Sequence, residues 1–141
     1  METKDKELLL KDLCARLPYG VVCHYDVIVP MVGKVKSYDR LHAISEFDSK
    51  PCFQFMGNRD IFDFDNIKPY LFPMSSMTEE QRKEYNSIIY KEIELHADRY
   101  YDVIEVISFE ELQDFYHKYH IDYRGFIDKG LAIDATGLNI Y

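Results

Sequence analysis

NIKPYLFPMSSMTEEQRKEY, residues 66–85, separates two unlike parts of the chain and decides how the rest is read. Pro69 and Pro73 each fix their own φ and push the residues before them, Lys68 and Phe72, toward extended geometry, so a stiff connector is expected between them. Thr78 then starts a helix. Gln81, three residues on, completes a capping box, and Glu79 and Glu80 sit favourably against the helix dipole. Ser75 and Ser76 have local backbone to bond ahead of that cap. The stretch holds no group that chemistry needs, and its expected task is architecture.

Upstream, Leu9, Leu10, Leu13, Cys14 and Leu17 recur at helical spacing, with Lys6, Lys11, Asp12 and Arg16 expected on the wet side. Pro18 and Gly20 stop this helix, and Val21-Val22-Cys23-His24-Tyr25 has the β-branched and aromatic bias of a strand. Gly33 precedes a short alternation that turns Val35 inward and Lys34 and Lys36 outward. Further strand signals lie at Leu41–Phe47 and Cys52–Met56, where Phe53 and Phe55 share a face. The short spacings predict antiparallel hairpins: a small antiparallel sheet or partly open barrel with the first helix across it.

Downstream, a helix is expected over Glu79–Asp98, and Ser108-Phe109-Glu110-Glu111 is a second capping box opening another. A third, over Tyr123–Lys129, has Asp122 as its cap and Gly130 as a left-handed terminator. Val103–Ile107 (VIEVI) reads as strand by β-branching, with a helix extension as the alternative. The expected architecture is a single α+β domain over residues 1–141. It comprises a helix plus sheet in 1–65, a proline-fixed connector in 66–78 and an acidic helical part in 79–141.

At 141 residues and 47% hydrophobic content the chain can bury one core. No apolar run approaches the ~18 residues of a membrane span, since VIVPMV at 27–32 is broken by Pro30. METKDKELLL at the N-terminus lacks the basic-then-apolar order of a secretory signal, so a cytoplasmic location is expected. Cys14, Cys23 and Cys52 are odd in number and widely spaced, which argues for reduced thiols. Residues 1–50 carry 8 Lys/Arg and 8 Asp/Glu, whereas residues 51–141 carry 9 and 17, so the second part holds the whole excess of the −8 net charge. That balance disfavours binding to a phosphate backbone, leaving Lys34, Lys36 and Arg40 as the one local basic patch.

Three blocks, LLLKDLCARLPYGVV at 8–22, the junction at 66–85 and FYHKYHIDYRGFIDKGLAIDA at 115–135, cover 56 of 141 residues. Together they resemble a family of short uncharacterised proteins of anaerobic gut bacteria and their bacteriophages. The resemblance implies a small intracellular protein, of phage or mobile-element origin, and supplies no catalytic residue and no activity.

Several groups could carry chemistry. Asp63 and Asp65, with Asp60 nearby, would share a strand face able to hold a divalent cation, although alternation with Phe62 and Phe64 is also the ordinary half-buried strand pattern. His117 and His120 are three apart with Asp114 a turn earlier, a transition-metal arrangement, yet histidines near a helix C-terminus commonly meet its dipole instead. Cys23 and His24 are strand neighbours on opposite faces and cannot form a thiolate–imidazole pair. Twelve Tyr and nine Phe with no Trp, and Tyr116, Tyr119 and Tyr123 in the acidic part, have the flavour of a protein contact surface or of a core and its rim. The apolar tail Leu138–Tyr141 docks on its own domain or on a partner. The expected function is that of a non-enzymatic interaction or accessory protein with a protein partner, able to self-associate, using no cofactor and no membrane. The alternative is a divalent-metal-dependent hydrolase or nuclease using Asp63 and Asp65.

Overall fold

The computed structural model describes residues 2–57, 61, 64–97 and 101–141, with the backbone alone over 90–97 and 101–108. Helices and a mixed sheet make it an α+β fold. Helix α1 (Thr3–Arg16) buries Leu9, Asp12, Leu13 and Arg16. That spacing of i, i+3, i+4 and i+7 is one helical face. It lies one position away from the stripe expected from the leucines, because Asp12 and Arg16 belong to the core side and Cys14 to the exposed side. A single 3₁₀ turn, Leu17–Tyr19, follows, and Gly20 at φ 73° ends it by donating its N–H to the Leu17 carbonyl.

Strand β1 (Val22–Val29) pairs antiparallel with the first half of β2 (Gly33–Phe47), from Val22 opposite Arg40 to Val29 opposite Gly33. Past a register shift between Leu41 and Ala43, β2 pairs with β3 (Lys50–Phe55). Asp48 and Ser49 both take positive φ, 56° and 63°, as a two-residue primed hairpin turn requires. Alternation sends Cys23, Tyr25, Phe53 and Phe55 into the core, where Tyr25 stacks on Phe55 at 4.0 Å and Phe53 on Phe64 at 5.2 Å. Leu9 and Leu13 of α1 pack into the same cluster.

The stretch read as a connector is a strand, β4 (Lys68–Pro73). The prolines do enforce extended backbone, but that backbone finds three partners. β4 pairs antiparallel with β1 at Cys23 and His24, and parallel with β5 (Ile121–Asp122) and β6 (Ile133–Asp134). The Leu71 carbonyl accepts from the Ala135 N–H while the Phe72 N–H donates to the His120 carbonyl, each at 2.8 Å. The Leu71 carbonyl and the Phe72 N–H belong to one trans peptide group and point opposite ways, so β5 and β6 flank opposite edges of β4. The sheet runs β3-β2-β1-β4-β5, with β6 joined to β4 off that path. It is therefore mixed rather than antiparallel, and residues 79–141 are not wholly helical.

Helix α2 (Glu79–Ala97) starts where expected: the Thr78 N–H donates to Gln81 Oε1 at 3.0 Å and the Gln81 N–H to Thr78 Oγ1 at 3.1 Å. Ser76 Oγ donates to the Pro73 carbonyl just before it. Helix α3 (Tyr101–Lys118) contains both Val103–Ile107 and Ser108, so the former is helix rather than strand and the latter is no cap. The β-branched penalty in a helix is only tenths of a kcal/mol, ~0.5 or less per residue, which helix pairing overrides. Tyr85 of α2 meets Phe115 and Tyr116 of α3, placing the start of one beside the end of the other. Residues 123–130 form turns in place of the third helix. The Asp122 carboxylate accepts from the Phe126 and Ile127 N–H groups of these turns, and Gly130 is left-handed at φ 72°. Among the described residues no helix is long and apolar enough to cross a membrane.

Candidate functional site

Two places in this fold depart from what packing alone requires: a charged cluster buried beneath α1 and an apolar ribbon in solvent. In the first, Asp12 and Arg16 are fully buried and paired, Arg16 Nε donating to Asp12 Oδ2 at 2.7 Å. Arg124 Nε reaches the other carboxylate oxygen at 3.1 Å, and Arg16 Nη2 donates to the Ile121 carbonyl at 2.7 Å. Both guanidinium groups lie over the Tyr123 ring, at 5.5 Å and 5.0 Å. The cluster thus fastens α1 to β5 and to the loop after it. Sequence reasoning missed it by placing Asp12 and Arg16 in water. The usable signal was that an i, i+4 ion pair shares its helical face with Leu9 and Leu13.

Beside it, His117 Nε2 and the Tyr123 hydroxyl are 3.1 Å apart. Burial, and then the Arg16 charge, hold the His117 imidazole below its usual range, so it is neutral, while burial raises the Tyr123 phenol. Tyr19 donates to Asp114 at 3.0 Å. Tyr116 is buried and stacks on Tyr123 at 4.7 Å. Tyr119 is half-buried and donates to Glu84 on α2 at 2.6 Å; that bond, with Lys118 at 3.0 Å, lowers the carboxyl of Glu84. The three tyrosines singled out in the sequence therefore lie together at the base of the helix pair and around Arg16.

His120 does not join His117. It adopts φ 57° just after α3 and turns toward the tail, where its ring stacks on Tyr141 at 3.7 Å. Burial and the nearby Arg16 and Arg40 charges hold it down at about 4. The Tyr141 hydroxyl stands where β1 and β4 part, accepting from the Val22 N–H at 3.1 Å and donating to the Tyr70 carbonyl at 2.7 Å. The apolar tail thus docks on its own sheet. Asp65 forms an exposed ion pair with Lys6 at 3.1 Å, and Phe64–Asn66 is a 3₁₀ turn rather than strand. Asp63, Asp60 and Phe62 lie outside the described residues. Among the described residues no group of three or more His, Cys, Asp or Glu is placed to hold a metal ion. Cys23 is buried, its thiol pushed up by desolvation, while His24 faces Asp26 at 3.6 Å on the other side of β1.

The second place is the outer part of the β1–β2 hairpin. β4 meets β1 only at Cys23 and His24, and β3 meets β2 only from Leu41 onward, so among the described residues the hairpin continues outward as a two-stranded ribbon. Its turn, Pro30-Met31-Val32, closes with the Val32 N–H on the Val29 carbonyl at 3.2 Å. Met31 takes φ 67° there, a position that favours glycine or asparagine. Ile28, Met31 and Val32 are 80%, 106% and 71% exposed. Lys34 stands opposite Ile28 and Lys36 opposite Asp26, with Lys34 Nζ 3.7 Å from the Asp26 carboxylate.

No family model matches this chain, and no curated protein or solved structure proves similar to it.

Proposed function

We propose that this chain is a non-enzymatic interaction protein whose working surface is the β1–β2 ribbon. One observation carries the reading: an apolar residue, Met31, stands fully in solvent at a backbone position that strains it. A left-handed non-glycine residue costs about 1–2 kcal/mol, and glycine would relieve it. Stability alone would not choose methionine there; contact with something else would. The buried cluster of Asp12, Arg16, Tyr123 and Arg124 holds the scaffold behind the ribbon. Tyr116, Tyr119 and Tyr123 serve the same scaffold, with Tyr119 and Tyr123 offering half-exposed edges to a protein partner or to a second copy. An accessory role in a mobile element is what the sequence resemblance adds. A hydrolase using Asp63 and Asp65 has less in its favour, because Asp65 sits exposed in a 3₁₀ turn beside Lys6 rather than on a strand face.

The test is retention of partners from native lysate, soluble and particulate fractions together, by wild type and by a Met31→Asp, Val32→Asp variant of unchanged circular dichroism. Loss of a saturable partner in the variant supports the ribbon as the contact. Equal retention by both refutes it.

A further inference from the structure

The ribbon combines two chemistries in a fixed order along its axis, and that order names a partner. We propose that the ribbon docks on an anionic lipid surface, with Ile28, Met31 and Val32 entering the headgroup region while Lys34 meets the lipid phosphates and Lys36 is attracted to them from just outside. This rests on the ribbon being the working surface.

The spacing agrees with the thickness of a bilayer interface. Strand residues rise about 3.4 Å each, so Lys34 lies roughly 8 Å and Lys36 roughly 15 Å behind the apex at Met31. Headgroup regions are about 5–8 Å deep per leaflet, and interfacial apolar groups sink about 5–10 Å. With the apex at the acyl boundary, Lys34 lies at the outer edge of the headgroup region and Lys36 about 7 Å beyond it, within the ~8 Å over which charges still act on each other at physiological salt. The one acid among these residues, Asp26, faces Lys34 at 3.7 Å and His24 at 3.6 Å, so it offsets one of the two lysine charges and the tip keeps a single net positive charge. Further down the same side of the ribbon Tyr38 is 60% exposed, opposite His24, and Lys68 pairs with His24 from the other strand. Arg40 follows, and Asp39 beside it is occupied by the Arg40 and Gly57 N–H groups. The acidic excess belongs to residues 51–141, and charges more than about 8 Å away are largely screened at physiological salt.

Other occupants explain less. A nucleic acid would use the lysines but leave the apolar apex in water. A contact between two copies needs about 800 Å² from each, and it would set the lysines of one ribbon beside those of the other. A bilayer takes a convex apolar tip without a complementary groove.

The test is co-sedimentation of the full chain with vesicles of phosphatidylcholine alone and of phosphatidylcholine with phosphatidylserine. Binding should need phosphatidylserine, fall about fivefold for each of Lys34→Gln and Lys36→Gln, and fall about tenfold or more for Met31→Asp. Met31→Gly, which relieves the backbone, should also weaken binding while raising the melting temperature, so lost binding cannot be ascribed to misfolding. No vesicle binding, or binding indifferent to residue 31, overturns the proposal. A photo-crosslinker at residue 31 distinguishes the failures: a protein captured there, with vesicles ignored, refutes the lipid and keeps the ribbon, whereas no capture and no vesicle binding removes both.

Discussion

Replacing Asp12 by alanine should be among the most damaging single changes in this protein. Asp12 and Arg16 are both fully buried, and the carboxylate accepts from two guanidinium groups, those of Arg16 and Arg124. Without it, the Arg16 charge keeps only the Ile121 carbonyl and the face of the Tyr123 ring. Stranding one member of a buried pair costs about 3–5 kcal/mol, a fifth or more of the ~5–15 kcal/mol that holds a typical domain together. For a chain of this size that is a fall in Tm of roughly 10–20 °C. Changing both residues together, Asp12→Leu with Arg16→Met, removes the fully buried pair and leaves the Ile121 carbonyl without its donor and the part-exposed Arg124 without its carboxylate, about 1–3 kcal/mol. The double variant should therefore be more stable than Asp12→Ala. Thermal and urea unfolding followed by circular dichroism, arranged as a double-mutant cycle, reads both quantities. An Asp12→Ala cost below about 1 kcal/mol, or a double variant no better than the single, would mean that the pair is solvated and that the scaffold argument is wrong.

Tyr141→Phe removes the hydroxyl shared by Val22 and Tyr70; it should cost about 1–2 kcal/mol and speed hydrogen exchange at the Val22 amide, which unchanged exchange would contradict. Met31→Gly should stabilise by about 1 kcal/mol, measured as a rise in urea midpoint at constant m-value, and a fall would show that φ 67° is not strained there. His120, whose folded value lies near 4 against an ordinary 6.5, is neutral in the fold where the unfolded chain is charged, so stability should decline as pH falls from 6.5 toward 4. His24 and His117 are lowered too and act in the same direction. His120→Asn, which tolerates the left-handed backbone, should flatten that decline, and urea midpoints at pH 7 and pH 5 that shift equally in both proteins would remove His120 as its source.

What the sequence made legible was local. The Thr78–Gln81 capping box, the positive φ of Gly130 and the shared face of Phe53 and Phe55 each follow from residues a few positions apart, and each is present, although the helix expected between Asp122 and Gly130 is not. What it hid depends on distant chain. Pro69 and Pro73 announce extended backbone, but whether that backbone is a connector or a strand is decided by Ile121 and Ile133, more than forty residues on. Val103–Ile107 is strand by composition and helix beside α2, because pairing outweighs a small propensity. Asp12 and Arg16 looked wet because charges usually are; they could be buried only because Arg124 and the Ile121 carbonyl arrive from the other end of the chain to satisfy them.

The same long-range logic separates the two unusual places. A buried ion pair contributes little net stability over apolar side chains of its shape, but it tolerates one arrangement of partners and penalises the rest. Asp12 and Arg16 therefore fix how residues 121–124 seat against α1 and so how β5 meets β4, while the Tyr141 hydroxyl separately ties β4 to β1. The ribbon has no such constraint past His24. Its apolar apex cannot be specifying the fold, since Met31 touches none of the core and is strained where it stands. If Met31→Gly raises stability and Asp12→Ala lowers it while each leaves the other's effect unchanged, scaffold and contact surface are energetically separate. The ribbon can then change its apolar residues freely without endangering the sheet that presents it.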